Sequence, residues 1–167
     1  MSGWLSGKRV RIEGVSPAIA SALAAQDAAV DDSEDCDIWV HVAPPPAIRF
    51  AHELTHSEWR ASLDIGLDRR FLGARDFAAQ CRARGTGGAV LFVGAPEQAL
   101  GADHAAAAGA LGNLTKTLGV EWARDGIRVN SILTRDTGNT LGNLAAYLVS
   151  DYAAYVTGAV MGIDLDD

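Results

Sequence analysis

The chain has 167 residues, of which 49% are hydrophobic, and we expect a single domain (1–167) with a buried core. Its formal net charge of -7 disfavours nucleic acid and anionic membrane surfaces as partners. No apolar run is long enough to span a bilayer, and Cys36 and Cys81 show neither metal-ligand spacing nor a disulfide framework. We therefore expect a cytoplasmic protein with two buried thiols and no metal site.

The first elements are a strand and a helix. Residues 8–13, KRVRIE, alternate charged and apolar side chains, which predicts a strand with one face in water. A helix follows, because Ser16 is a good N-cap and Pro17 suits the first helical position. Residues 31–37 hold five acids in seven positions. We interpret them as a solvated loop, with a cation site as the alternative.

A second strand and a long helix are predicted next. Residues 37–43, DIWVHVA, have the pattern of a strand, and three prolines then break the chain. Thr55 and Glu58 have capping-box spacing at the start of the helix. Its apolar stripe is Trp59, Leu63, Leu67, Phe71, Ala74, Ala78 and Cys81. Residues 89–93, AVLFV, form a continuous apolar run, which predicts an interior strand of a parallel sheet.

The helix, turn and strand within residues 104–133 are the best-defined unit. Four apolar side chains recur at three- and four-residue spacing, which predicts a helix of about five turns; they are Leu111, Leu114, Leu118 and Trp122. Gly126 suits the left-handed position that ends such a helix. The apolar pattern of residues 127–133 predicts a buried strand. This order is typical of an αβ unit in a parallel sheet.

Two segments carry a family resemblance. Residues 114–132, LTKTLGVEWARDGIRVNSI, resemble the long helix and following strand of the short-chain dehydrogenase/reductases, and residues 150–158, SDYAAYVTG, resemble the closing part of that family. The resemblance runs from Gly7 to Asp164. It implies an α/β fold, a reduced Rossmann-like doubly wound parallel sheet of about five to six strands with helices on both faces.

The same resemblance implies two internal deletions. The interval between the first helix and residues 37–43 is shorter than in the family, which would leave the strand at 8–13 at or next to the sheet edge. The mobile segment that closes over substrate after Leu133 is also missing.

The resemblance locates the family's functional positions, and this chain lacks the expected residues there. The catalytic tyrosine and lysine fall at His104 and Ala108, the asparagine at Gly66 and the substrate-binding serine at Ala95. In the glycine-rich cofactor turn only Gly14 remains, because Ala18 and Ala20 replace two glycines and Glu13 adds negative charge. We therefore expect no catalytic residues, no bound cofactor and no catalysis by the isolated chain.

The retained segments are those through which subunits of the family pack together. We expect a non-catalytic dehydrogenase-like subunit that assembles with a catalytically complete relative, or with itself, and stabilises or regulates an oxidoreductase complex. The expected oligomer interface comprises Phe71, Gly109, Gly112, Leu118, Trp122, Tyr155 and Met161.

Two alternatives stay open. One is a homo-oligomeric small-ligand binding or sensor protein that uses the crevice beside Gly14 and His41. The other is a repurposed enzyme in which His104 serves as acid or base, oriented by Asp103 or reaching His41.

Overall fold

Parallel strands form the centre of the fold. The computed structural model describes residues 2–96 and 101–163, and their six strands form one sheet in the order β2-β1-β3-β4-β5-β6. The strands are β1 Arg9–Glu13, β2 Ala29–Val30, β3 Ile38–Val42, β4 Gly88–Gly94, β5 Ile127–Leu133 and β6 Val160–Gly162. Every pairing is parallel. The expected α/β doubly wound sheet is confirmed.

Helices cover both faces of the sheet. They are α1 Pro17–Ala24, α2 His56–Leu63, α3 Arg69–Arg84, α4 Ala102–Glu121 and α5 Asn139–Val149. Because strand side chains alternate between faces, the buried residues form two cores. Ile38, Val40 and Leu91 pack with α1 and α5, whereas Trp39, Val90 and Phe92 pack with α3 and α4. None of the described helices is long and apolar enough to cross a membrane.

The helix ends follow the sequence signals. Ser16 Oγ accepts a hydrogen bond from the Ile19 backbone nitrogen, and Pro17 is the first residue of α1. Thr55 and Glu58 form both halves of the expected capping box at α2. Gly126 has φ +69° and ends the short 3-10 turn that follows α4. Local capping energies therefore set these boundaries.

The helix expected from residue 55 onward is interrupted by a π-helical turn. Residues Asp64–Asp68 adopt this conformation and join α2 to α3. Beyond it Arg70 takes an inward-facing position, and Phe71, one residue further round the helix, is exposed. The predicted apolar stripe is therefore buried at Ala74, Ala78 and Cys81 but exposed at Phe71, which we also expected at the oligomer interface.

Strand β1 lies next to the edge strand β2, as the shortened sequence predicted. Its arginines are paired within the chain. Arg9 Nη1 lies 2.7 Å from Asp35 Oδ2, and Arg84 binds the other oxygen of the same carboxylate. The backbone nitrogen of Arg9 also donates to Asp37 Oδ2 over 2.8 Å. Part of the acidic stretch therefore fixes a turn at the sheet edge.

The segment after α5 is held by polar side chains of β5. Arg128 donates hydrogen bonds to the carbonyls of residues 148, 149, 150 and 153, at the end of α5 and in the turn after it. The carbonyls of residues 150 and 153 also accept backbone hydrogen bonds, from the nitrogens of residues 153 and 156. Asn130 Nδ2 donates to the Val156 carbonyl, and Asn130 Oδ1 accepts from the Ala159 nitrogen. Asn130 interrupts the apolar pattern of β5 because it binds this segment.

We expect Gly119→Ala to lower the free energy of unfolding by about 1–3 kcal/mol, because overpacking forces the backbone to shift. The added methyl carbon would lie 2.5 Å from the Gly158 nitrogen. Gly112→Ala is the matched control in the same helix, since its nearest neighbour, Val160 Cγ2, lies at 4.0 Å. That variant should gain up to about 1 kcal/mol from helix propensity. Urea denaturation compares the two, and equal stabilities would contradict a tight α4 contact.

Candidate functional site

A crevice opens at the carboxyl ends of the strands, where the chain order reverses between β1 and β3. Open α/β sheets bind ligands at such a switch point. The crevice has a volume of about 280 Å³ and is bordered by the turn at residues 15–17, by the prolines at 44–46, and by Thr134, Asp136 and Leu141. Gly14 precedes the turn that borders the crevice, has φ +94°, and leaves no room for a Cβ, which would overlap the Val42 carbonyl oxygen.

The helix end that faces this crevice offers few hydrogen-bond donors. Pro17 has no backbone N–H, and the Ile19 N–H is donated to Ser16 Oγ. Ala20 donates to the Ser16 carbonyl within the helix. Of the first three helical residues, only Ala18 has an N–H to offer an anion.

A smaller pocket adjoins the crevice. Its volume is about 50 Å³, and both cavities share Ala43, Pro44, Pro46, Gly94 and Ala95 as walls. The other lining residues are Gly66, Arg70, His104, Ala108, Leu111 and Leu133. This described lining contains two ionisable side chains, those of Arg70 and His104, and no hydroxyl, thiol, carboxylate or amine.

Arg70 is the most unusual of these residues. Its side chain is only 3% exposed, and Nη2 donates to the Val93 carbonyl over 3.1 Å. Nε is buried without a hydrogen-bond partner, and no described carboxylate lies within 4.0 Å of the guanidinium. Burial lowers the pKa of Arg70 to about 10, so the group is a cation at neutral pH. One sequence signal does indicate its inward position: Leu67, Arg70 and Ala74 have the spacing of residues on one face of a helix.

Asp103 and His104 begin the long helix beside this pocket. Asp103 is buried, Ser62 Oγ donates to its Oδ2 over 2.5 Å, and its Oδ1 has no partner. Burial acts to raise the pKa of Asp103, but the Ser62 hydrogen bond and the His104 backbone N–H hold it below its usual range. His104 Nε2 lies 3.8 Å from Asp103 Oδ2, too far for a hydrogen bond. In this geometry the side-chain hydrogen-bond partner of Asp103 is the Ser62 hydroxyl, and not the His104 imidazole.

His41 is the other histidine near the site. Its ring packs edge-on against Trp39, with ring centres 5.8 Å apart, and Nδ1 is buried without a partner. Burial, followed by the positive charge of Arg70, lowers the pKa of His41 from 6.5 to about 4. His41 is therefore neutral near pH 7.

Comparison with known proteins identifies the family. A family model described as enoyl-(acyl carrier protein) reductase matches residues 18–137, more than half of the chain. The chain belongs to the short-chain dehydrogenase/reductase family. A short-chain type dehydrogenase/reductase from Mycobacterium marinum has the same fold, with a TM-score of 0.87, 22% identity, and coverage of 96% of this chain and 94% of that one.

Two curated relatives are dehydrogenases. The chain is 27% identical to 3beta-hydroxysteroid dehydrogenase 1 of Eggerthella lenta over 171 positions, which cover 83% of this chain and 66% of that protein. It is 30% identical to cis-4-hydroxycyclohexanecarboxylate dehydrogenase of Sinomonas cyclohexanicum over 143 positions, which cover 68% and 57%. The chain thus spans less than two thirds of the length of either relative. The alignment with the first relative has 171 positions, which is more than the 167 residues of this chain, although it covers only 83% of them. The alignment therefore contains gaps, as expected if internal segments of this chain are deleted.

The structure brings together the positions at which the short-chain dehydrogenase/reductases are expected to keep their functional groups. Gly66, Ala95, His104 and Ala108 all line the 50 Å³ pocket. Gly66 lies in the π-helical turn, and a Cβ there would lie 2.7 Å from the Ala107 Cβ. An asparagine at Gly66 therefore does not fit unless α4 moves.

The residues present fit the family's dinucleotide poorly. The helix end beside Ala18 and Ala20 leaves one N–H for a pyrophosphate. Glu13 is not part of this mismatch, since it pairs with Arg11 over 2.6 Å and does not line the crevice. The expected repulsion by Glu13 is therefore weak.

The expected interface residues have different surroundings. Phe71 is 40% exposed and Tyr155 fully exposed, whereas Gly109, Gly112 and Met161 are partly buried. Leu118 and Trp122 are only 3% and 4% exposed, because they pack into this chain's own core beneath the sheet. Those two side chains are therefore not available to another subunit, which corrects their assignment to an interface.

Cys36 and Cys81 are free and buried, as expected. Burial raises the pKa of both thiols. Within residues 2–96 and 101–163, no group of three or more histidine, cysteine, aspartate or glutamate side chains could hold a metal ion.

We expect acid to weaken the fold partly through His41. Its pKa is about 4 in the folded chain and 6.5 in the unfolded chain, so the unfolded state binds more protons between these values. Stability should fall by about 1–3 kcal/mol as the pH drops through this window. Urea denaturation at several pH values measures the slope. His41→Asn should flatten it and the exposed control His52→Asn should not; equal slopes would contradict the buried neutral imidazole.

Proposed function

We propose that this chain is a non-catalytic short-chain dehydrogenase/reductase-like subunit. It would assemble with a catalytically complete relative, or with itself, and stabilise or regulate a cytoplasmic oxidoreductase complex. The supporting observation is the composition of one pocket. Its walls hold Gly66, Ala95, His104 and Ala108 where the family resemblance leads us to expect asparagine, serine, tyrosine and lysine.

The chemistry supports the absence of catalysis. Proton transfer to a carbonyl oxygen needs a positioned acid within hydrogen-bond reach. His104 is the one described lining residue that could serve, but Asp103, the acid expected to orient it, is bound by Ser62 instead.

The outer helix faces support assembly. Large apolar side chains are exposed on α3, where Phe71 and Leu72 are 40% and 43% accessible, and on α4, where Val120 is 79% accessible. Phe71 and Leu72 are adjacent in the sequence, and exposed apolar patches mark many protein–protein contacts. The two curated relatives are dehydrogenases by name, which makes an active member of this family the natural partner for such a surface.

The isolated chain should neither bind NAD(H) or NADP(H) in the micromolar range nor reduce carbonyl compounds. We expect His104→Tyr combined with Ala108→Lys to remain inactive, because the positions of Gly66 and Ala95 and the cofactor turn are unchanged and catalytic groups act as a unit. Calorimetric titration and a reductase assay measure both, with a complete family member as positive control. Turnover by the double variant would show that the pocket is catalytically competent.

The assembly itself can be tested by light scattering and co-purification with a complete family member. We expect Phe71→Asp to reduce assembly at least about tenfold, since a buried unpaired charge costs more than the lost contact. Ile48→Asp is the matched control, because Ile48 is 74% exposed but lies outside the long helices. A stable monomer that ignores this partner would overturn the assembly proposal.

A second candidate function is the binding of a small ligand. Buried Arg70, whose charge has no described counter-ion, favours it because such a group is expensive unless something pairs with it.

A further inference from the structure

We propose that the pocket beside Arg70 binds the carboxylate group of a small organic acid. This inference rests on the second candidate function, ligand binding, and is independent of subunit assembly. It assigns the ligand class from the guanidinium, the pocket walls and the adjoining crevice.

The guanidinium of Arg70 has few hydrogen-bond partners among the described residues. Arg70 is 3% exposed, Nη2 has one hydrogen bond to the Val93 carbonyl, and Nε is buried without a partner. A guanidinium has five N–H donors, so most of its capacity is unused among the described residues. Its cationic form persists at neutral pH even though burial lowers its pKa to about 10. A buried cation of this kind attracts an anion strongly, because little water screens it.

A ligand in the 50 Å³ pocket can reach the guanidinium of Arg70. Arg70 lines the 50 Å³ pocket together with Gly94. Both Nη1 and Nη2 lie 3.6 Å from the point that a Cβ of Gly94 would occupy. The terminal edge of the guanidinium therefore borders space that no side chain from position 94 fills. A carboxylate can accept two parallel N–H bonds from such an edge.

The walls of the pocket are mostly apolar. Apart from Arg70 and His104, the described lining is glycine, alanine, proline and leucine. No second cation is present among these residues, so a singly charged group fits better than a phosphate dianion. The pocket itself is small, about 50 Å³, and holds little more than the carboxylate. The carbon body would extend along shared walls into the 280 Å³ crevice, beside Val42, Val93 and Leu141.

Calorimetry and thermal unfolding of the full chain with benzoate or acetate test this assignment. Benzamide and acetamide are the neutral counterparts, and sodium chloride matches the ionic strength. The acids should bind and raise Tm, and the amides should bind about tenfold or more weakly, because they cannot form charge-assisted bonds. Arg70→Met should lower the affinity for the acids by a similar factor. The methionine side chain should fill most of the volume of the aliphatic part of the arginine. Arg75→Met, an exposed arginine in the same helix, should bind as the unaltered chain does.

A second variant tests the pocket without altering its charge. Ala108→Leu should fill the cavity and abolish acid binding, while Arg70 keeps its bond to Val93. The assignment is overturned if neither acid binds, if acid and amide bind equally well, or if Arg70→Met and Ala108→Leu both bind as the unaltered chain does. Light scattering with a family partner is a separate measurement, so failure here leaves the assembly proposal untouched, and the reverse also holds.

Discussion

The close packing of helix α4 is the constraint on which the rest of the structure depends. Near its start, Ala107 lies against Gly66 so closely that a Cβ on Gly66 would come within 2.7 Å of it. Near its end, Gly119 lies against Gly158 with even less room. Two contacts of this kind fix the position and rotation of a 20-residue helix. The pocket walls contributed by His104, Ala108 and Leu111 are set by that docking.

Arg70 and the positions identified by the family resemblance line one pocket. The positions that the resemblance assigns to hydride-transfer chemistry hold residues without a proton donor, apart from His104. A buried arginine now lies at the same place, on the helix that follows the π-helical turn. Burial, and after it the charge of the same cation, lowers the pKa of His41 and keeps it neutral near pH 7. A buried charge without a counter-ion among the described residues is costly unless a ligand pairs with it.

Much of the fold could be predicted from local signals. The Ser16 cap, the Thr55–Glu58 capping box and the left-handed Gly126 mark real element ends, because each depends on residues next to one another in sequence. The position of β1 next to the sheet edge also follows from its alternating arginines and the shortened interval after α1.

The features that the sequence did not predict correctly depend on contacts between segments that are distant in the sequence. A helical stripe shows that Leu118 and Trp122 are buried, but not whether their own sheet or another subunit covers them. Arg70 was missed because an arginine within a charged stretch is normally solvated. The π-helical turn leaves no periodic signal of its own, and Gly119 reveals its role only when Gly158 is placed beside it.

The hydrogen bonds of Arg128 and Asn130 have a consequence for local opening. Strand β6 has only three residues, so its ladder alone would hold the segment after α5 weakly. The two β5 side chains join that segment to the end of α5 through shared donors and acceptors. If the Arg128 hydrogen bonds break, the end of α5 and the turn at 151–153 lose the same donor together. We therefore expect both regions to open as one cooperative unit, with their backbone amides exchanging with solvent in the same event.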